Sequence, residues 1–569
     1  MKKVFAILMT LLMMFGIYTP NVVKADETYF KFDNVVDDQL EIDLFDPLEL
    51  KVVLKDEKQE GISDVHYTWL LESTSINPTT IEKASDSSVL YIPSFNFITA
   101  KTDRSGIECV IDFKLNGEAK REFVGVDLNI NQSIFDGSNK VVFIGGYTIK
   151  QGETLDLAHP NDSHGDSPIG KGKISLSEKG DQVILDNVVF DYDLKNLCVD
   201  KLFTRDKGFA YYSFLNNLED ISFILKGKNK ITNSYHIDNN DNDGTTFLMS
   251  LTTDGSPKMI DVPTYHIVGN GSLEINGGTY CIAGMGVVDV NTKLSVNSTK
   301  DPKYPGRFGN GIIGANIIVN KNADIKLDIA GYGISANISN DPKLGKIDIK
   351  PGSKIDMTIR NYVRHPFSKQ LMPSISNGIY STNAVDINSA DVDIKLIADK
   401  KVCDDYEKEF PEEAGRSIKP YSLCAIGNTG SNSPYNLTIN NSQIDIELFN
   451  INCPKDEKLL TYARGINFVN SGNDDDNTGV IVNNSIVNID LFDNGHNTSQ
   501  AIGISTMALD IEGGNLNINA FSINKSIGIK QLKSLIAKHE KQNTLNVKNA
   551  DVNIQTNDIG ILAEKMNFD

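Results

Sequence analysis

Beyond its first residues the chain lacks long apolar runs, and it also lacks basic clusters, helix-period segments and a dense set of cysteines. After Tyr18 no stretch approaches the about 20 apolar residues of a membrane helix, so the reading is a chain that is not membrane-spanning. Lys and Arg number 55 against 75 Asp and Glu, a formal charge of −20. A phosphate backbone needs a basic stripe, which excludes nucleic acid as a partner. The same acidity repels polyanionic substrates unless a cation intervenes, and otherwise serves solubility. Six cysteines in 569 residues are too few for a disulfide scaffold. Apolar spacing of 3.6 residues is missing over long segments, which excludes helical repeats.

What is present begins with an export signal. Lys2 and Lys3, the apolar run Val4 to Tyr18, and Val23-Lys24-Ala25 ahead of Asp26 supply its charged, hydrophobic and small-residue parts. Residues 1–25 are therefore read as a cleavable signal peptide and the mature chain as secreted or extracellular, at a cell surface if attached indirectly. Its removal takes Lys2, Lys3 and Lys24 and moves the formal charge from −20 to −23. No sorting signal is evident in the last residues, Lys565 to Asp569, and without a polar cap the last repeat is expected to fray unless Glu564, Lys565 and Asp569 blunt its edge.

The second half repeats a short phrase in which apolar residues alternate on either side of a small corner. Val385 to Ile394, Leu437 to Ile446, Val480 to Ile489, Leu509 to Ile518 and Leu545 to Ile554 are five copies, and Ile317 to Leu327 and Ile347 to Met357 carry one extra corner residue. Period-2 alternation sends Val, Ile and Leu to one face, which a single unit cannot bury alone. Between equivalent positions the steps are 30, 38, 52, 43, 29 and 36 residues, a constant core with variable insertions. A third element recurs between copies, as in Gly311-Ile312, Gly378-Ile379 and Gly503-Ile504. Three strands per turn with insertions at a favoured corner resemble a right-handed parallel β-helix of the pectin-lyase-like class. Ile174 to Leu185, Ile221 to Ile231, His266 to Ile275 and Val288 to Val296 look like earlier turns, and "LKGKNKIT" and "IVGNGSLEING" resemble secreted bacterial β-helix domains often labelled carbohydrate-binding. The resemblance implies the fold and a lean toward glycans.

Residues 26–131 follow another grammar, with short alternating strands such as Leu48 to Leu54, His66 to Trp69 and Val89 to Ile92. Trp69 stands 40 residues before Cys109, an arrangement that resembles an immunoglobulin-like β-sandwich. Val52, Val53 and Leu54 occupy the strand that would supply a partner cysteine, and Ile107 replaces the corner Tyr, so the core is expected to be apolar with Trp69 inside. Residues 132–170 form a connector and N-terminal cap, with Val141 to Ile144 as the covering strand, and 171–569 the β-helix.

Catalytic constellations are sparse. Asp404-Asp405 and Asp474 to Asp476 lack the Gly-His-Gly and Arg-x-Lys partners of polygalacturonase-like members. Asp386, Asp391 and Asp393 cluster as a pectate-lyase-like Ca²⁺ site would, and as any solvated strand would. Asp241 and Asp243 sit in half of a calcium loop that lacks its terminal Glu. Cys403 and Cys453, nine and seven residues after Ile394 and Ile446, open insertions on consecutive turns, where rungs about 4.8 Å apart allow a disulfide. Insertions 299–310, 361–377, 399–422, 450–463, 493–500 and 530–543 are expected to leave from one strand and align. Tyr362, Arg364, Phe367, Tyr406, Tyr421 and Tyr462 give that side groups suited to sugars or protein surfaces. The reading is an all-β, non-catalytic binding protein for a glycan or a cell-surface protein, with no cofactor and Ca²⁺ as a candidate ion. The alternatives are a polysaccharide lyase or glycoside hydrolase, and a structural spacer.

Overall fold

The computed structural model describes residues 21–22, 28–35, 38–43, 46–57, 59–73, 76–80, 86–92, 104–131, 140–160, 168–191, 207–213, 219–233, 245–251, 262–277, 280–298, 309–329, 331–336, 344–360, 374–399, 420–427, 436–451, 462–468, 479–493, 500–531 and 544–569. Every regular element among them is a strand. One compact unit holds the described residues up to Asn131, the other those from Lys140 onward.

The first unit has two sheets around one core. Glu118–Asn131, Arg104–Leu115, Ile62–Ser73 and Ile76–Thr80 run antiparallel in sequence across one sheet, and Phe30–Phe32, Leu48–Leu54 and Val89–Ile92 form the other. Asn21–Val22, inside the stretch read as an export signal, pairs with Lys120 and Arg121. Alternation explains the packing, since Leu48, Leu50 and Val52 are buried while Glu49 and Lys51 face solvent. Trp69 is fully buried, lies over Phe32 at 5.9 Å and donates its indole N–H to the Ser87 carbonyl at 2.7 Å, so its polar end is satisfied. Cys109, opposite Trp69 in the ladder, is a free thiol that burial pushes up to about 12.

The second unit is built of stacked rungs. Each later rung gives one strand to a 13-stranded sheet and two stretches to a 20-stranded sheet, joined into one continuous strand in Thr264–Asn276, Val287–Asn297, Gly479–Asp493 and Leu509–Ser522, and like strands of successive rungs pair in parallel. Its first end is antiparallel: Lys140–Ile144 pairs with Tyr147–Lys150 on one side and Lys207–Ser213 on the other. Ile174 to Leu185, expected as a turn of the repeat, is instead a hairpin with Ile174 opposite Leu185. Its alternating residues fit either arrangement, and the Glu178-Lys179-Gly180 turn with positive φ at Gly180 folds it back. Parallel stacking starts with Gln182–Asp191 on Ile221–Lys226.

The repeated corner has a local cause. Ser389, Asn441, Asn484 and Asn549 take φ of 47°, 48°, 46° and 49°, a left-handed conformation that Asn tolerates better than most residues. There the ladder is bridged by side chains. The Ser442 hydroxyl accepts from Ala390 N at 3.2 Å, and Ser485 Oγ accepts from Ser442 N at 3.1 Å. Beside them Asn440 and Asn483 donate to the amide oxygens of Asn388 and Asn440 at 2.8 and 2.9 Å. Inside, Ile394, Ile446, Ile489 and Ile518 stack in register, each at most 1% exposed. In the earliest rungs aromatics fill that space, with Phe209 stacked on Phe247 at 4.5 Å and Phe223 at 5.5 Å from Phe247, which is why the repeat phrase degenerates there.

Candidate binding face

The second strand after each corner turns alternate residues outward, and parallel register lines them up in columns about 4.8 Å per rung. One column runs Arg360, Ile397, Phe449, Phe492, Phe521. Phe492 and Phe521 are 45% and 40% exposed, Phe449 and Ile397 are partly exposed, and Ile523 just beyond is exposed too. These are apolar groups on strands whose other outward residues are mostly Asp, Asn, Glu and Lys. At one end Arg360 pairs with Asp328 at 2.9 Å.

The neighbouring columns are polar and cross-linked. Thr358, Lys395, Glu447, Asp490 and Asn519 lie next to the apolar column. Lys395 pairs with Glu447 at 2.7 Å and stands 5.3 Å over the Phe449 ring, a cation–π contact that fixes the ring from one side. Asn519 donates to Asp490 at 2.6 Å. Beyond them Asp356, Asp393 and Asp445 precede Asn488, Asn517 and Asn553, and each Asn donates to the residue one rung earlier, at 2.6, 2.8 and 2.9 Å. Partial burial, then the charges of Asp356, Asp445 and Glu447, raise the Asp393 carboxyl above its usual range, against the pull of Lys395. The face therefore offers flat apolar rings beside an ordered strip of amide and carboxylate groups, with negative charge in its earlier rungs.

Of the residues singled out in the sequence, Tyr362, Arg364, Phe367 and Tyr406 lie outside the described residues, as do Asp241, Asp243, Cys403 and Cys453. Tyr421 and Tyr462 fall in Pro420–Gly427 and Tyr462–Phe468, adjacent strands of the 13-stranded sheet in which Tyr462 is the register partner of Ser422. Asp386 stands on the strand before the corner, and Asp391 and Asp393 on the strand after it; among the described residues no group of three His, Cys, Asp or Glu is placed to hold a metal. The insertions do not all leave from one strand. Those after Val287–Asn297, Lys354–Arg360, Asp391–Asp399, Gln443–Ile451 and Gly479–Asp493 do, whereas 532–543 follows Lys525–Gln531 of the 13-stranded sheet.

Of the apolar column only Phe449 stands out in the sequence, as an aromatic beside an insertion, because single Phe residues otherwise look like core. The column's signal is a broken alternation, Leu396-Ile397, Leu448-Phe449, Leu491-Phe492 and Ala520-Phe521, at one offset from the corner. His266 Nδ1 lies within hydrogen-bond distance of Asp289 Oδ2, at 2.7 Å. No helix among the described residues is long and apolar enough to cross a membrane. Compared with known proteins, the chain matches no family model, no curated protein and no solved structure.

Proposed function

We propose that this is an exported, cell-surface or secreted binding protein, an immunoglobulin-like sandwich ahead of a parallel β-helix, that holds a glycan chain along the outer face of its rungs. The parallel stacking of the rungs supports the β-helix, and the strong preference of parallel crossovers for one hand supports the right-handed form. The observation that carries the function is the apolar column of partly exposed Ile397 and Phe449 and exposed Phe492 and Phe521, beside the hydrogen-bonded Asp/Asn columns. Pyranose rings present an apolar C–H face and a rim of hydroxyls. Rings of Phe take the first, and amides and carboxylates take the second. A column that repeats every rung suits an extended oligosaccharide lying along it. The carboxylates of Asp356, Asp393, Asp445 and Glu447 next to it favour a neutral or amine-bearing sugar over a polyuronate.

Affinity electrophoresis in gels of neutral, amine-bearing and uronate polysaccharides tests this. Retardation by neutral or amine-bearing polymers, lost in Phe492→Ser/Phe521→Ser with an unchanged melting temperature, is expected. Retardation kept in that double variant, or found with uronates alone, refutes the assignment. Release of reducing or unsaturated sugar ends favours the lyase or hydrolase reading, and neither binding nor turnover favours the spacer.

A further inference from the structure

The strand before the corner carries a second arrangement, in the early rungs. Gln182, Ser222, His266 and Asp289 are consecutive register partners, one per rung, in one outward column. The two nitrogens of His266 face opposite rungs. Nδ1 lies 2.7 Å from Asp289 Oδ2, and Nε2 is turned to the rung of Ser222, 4.0 Å from Asp220 Oδ2. Asp289 is held in place, its side chain only 10% exposed and its other oxygen 3.4 Å from the Asn320 amide nitrogen. Asp220 accepts from the Thr264 N–H at 2.8 Å. Beside the column runs an apolar strip, Ile184, Ile224 and Val268, also in register and partly exposed.

We infer that Ser222, His266 and Asp289 form a nucleophile, base and positioning carboxylate for the hydrolysis of carboxylic esters, with the acyl group resting on Ile184, Ile224 and Val268. The order of roles follows from which ring nitrogen faces which rung. Ser222 Oγ attacks the ester carbonyl as its proton passes to His266 Nε2. The exposed Gln182 amide, one rung from Ser222, donates to the resulting oxyanion, as side-chain amides do in other acyl-transfer sites. The C–O bond to the alcohol then breaks, and Nε2 returns the proton to the leaving oxygen. Water, deprotonated by the same nitrogen, releases the acid and restores the serine. No hydrogen bond joins the Ser222 hydroxyl to the ring, and catalytic pairs of this kind are often long without substrate and tighten with it in place.

A serine-directed fluorophosphonate and p-nitrophenyl butyrate test the assignment on the full chain. One phosphonyl group is expected on the peptide containing Ser222. Ester turnover should fall to the buffer rate in Ser222→Ala and about a hundredfold in His266→Gln. Asp289→Asn should lower kcat and shift the pH profile while leaving KM in place, a pattern that lost packing alone does not produce. Ser222→Ala removes one oxygen from a partly exposed side chain, and an unchanged melting temperature verifies its fold. An unlabelled wild-type protein, or turnover that Ser222→Ala leaves intact, overturns the assignment.

Discussion

Alanine at Gly503 should destabilise the stacked rungs, and the same change at Gly560 should not. A Cβ on Gly503 would sit 2.5 Å from the Gly528 carbonyl oxygen of the next rung and 2.5 Å from Ile518 Cγ2 in the core. Neither neighbour yields easily: the oxygen belongs to the backbone ladder, and Ile518 is fully buried among stacked isoleucines. Overpacking of this kind costs about 1–3 kcal/mol. Loss of glycine freedom in the unfolded chain returns about 0.4–1 kcal/mol. With two rigid contacts the upper part of the first range applies, leaving about 2 kcal/mol of net loss for Gly503→Ala. At Gly560 nothing lies within 4 Å of the added methyl, so only the favourable part remains. Urea unfolding, with hydrogen exchange of peptides spanning 500–531 as the local readout, separates the two. Equal shifts, or a stabilised Gly503→Ala, refute the claim that glycine recurs there because the rungs close on it. One rung carries Ala425 in place of the glycine, so tolerance is set by what faces each position.

Ile489→Asp places a carboxylate among residues at most 1% exposed and is expected to cost several kcal/mol or take up a proton, whereas Asp490→Asn, on the outer face, should be near neutral; equal losses on denaturation would contradict the inward assignment of Ile489. Asp393 has a folded-state value raised above the ordinary 3.8, so the folded chain keeps this proton to higher pH than the unfolded chain, and the associated stability is full below 3.8 and lost as pH rises through the raised value. Asp393→Asn should therefore stabilise at neutral pH, by under about 1 kcal/mol for so exposed a group, and leave stability near pH 3 unchanged, as stability measured against pH will report.

The limits of the sequence reading follow from what alternation encodes. Period-2 spacing fixes which side chains point inward, so Ile489, the corner asparagines and serines, and the recurring Gly-Ile element were all legible before the structure. Alternation is blind to strand direction, which is why the hairpin at Ile174 to Leu185 passed for a turn of the repeat; only its Gly180 turn distinguishes the two. It is equally blind to neighbours across rungs. Ser222, His266 and Asp289 stand 44 and 23 positions apart, and nothing in the chain between them states that insertions of unequal length restore the register. Phe492 and Phe521 were hidden for the same reason. Each reads as one more apolar residue beside Leu491 or Ala520, and its outward direction emerges only when position is counted from the corner. In a stacked fold the interior is written along the sequence, but a surface site is written across it, one residue per rung. Counting every outward residue from its own corner is therefore the operation that exposes columns such as Phe449, Phe492, Phe521 and Gln182, Ser222, His266, Asp289.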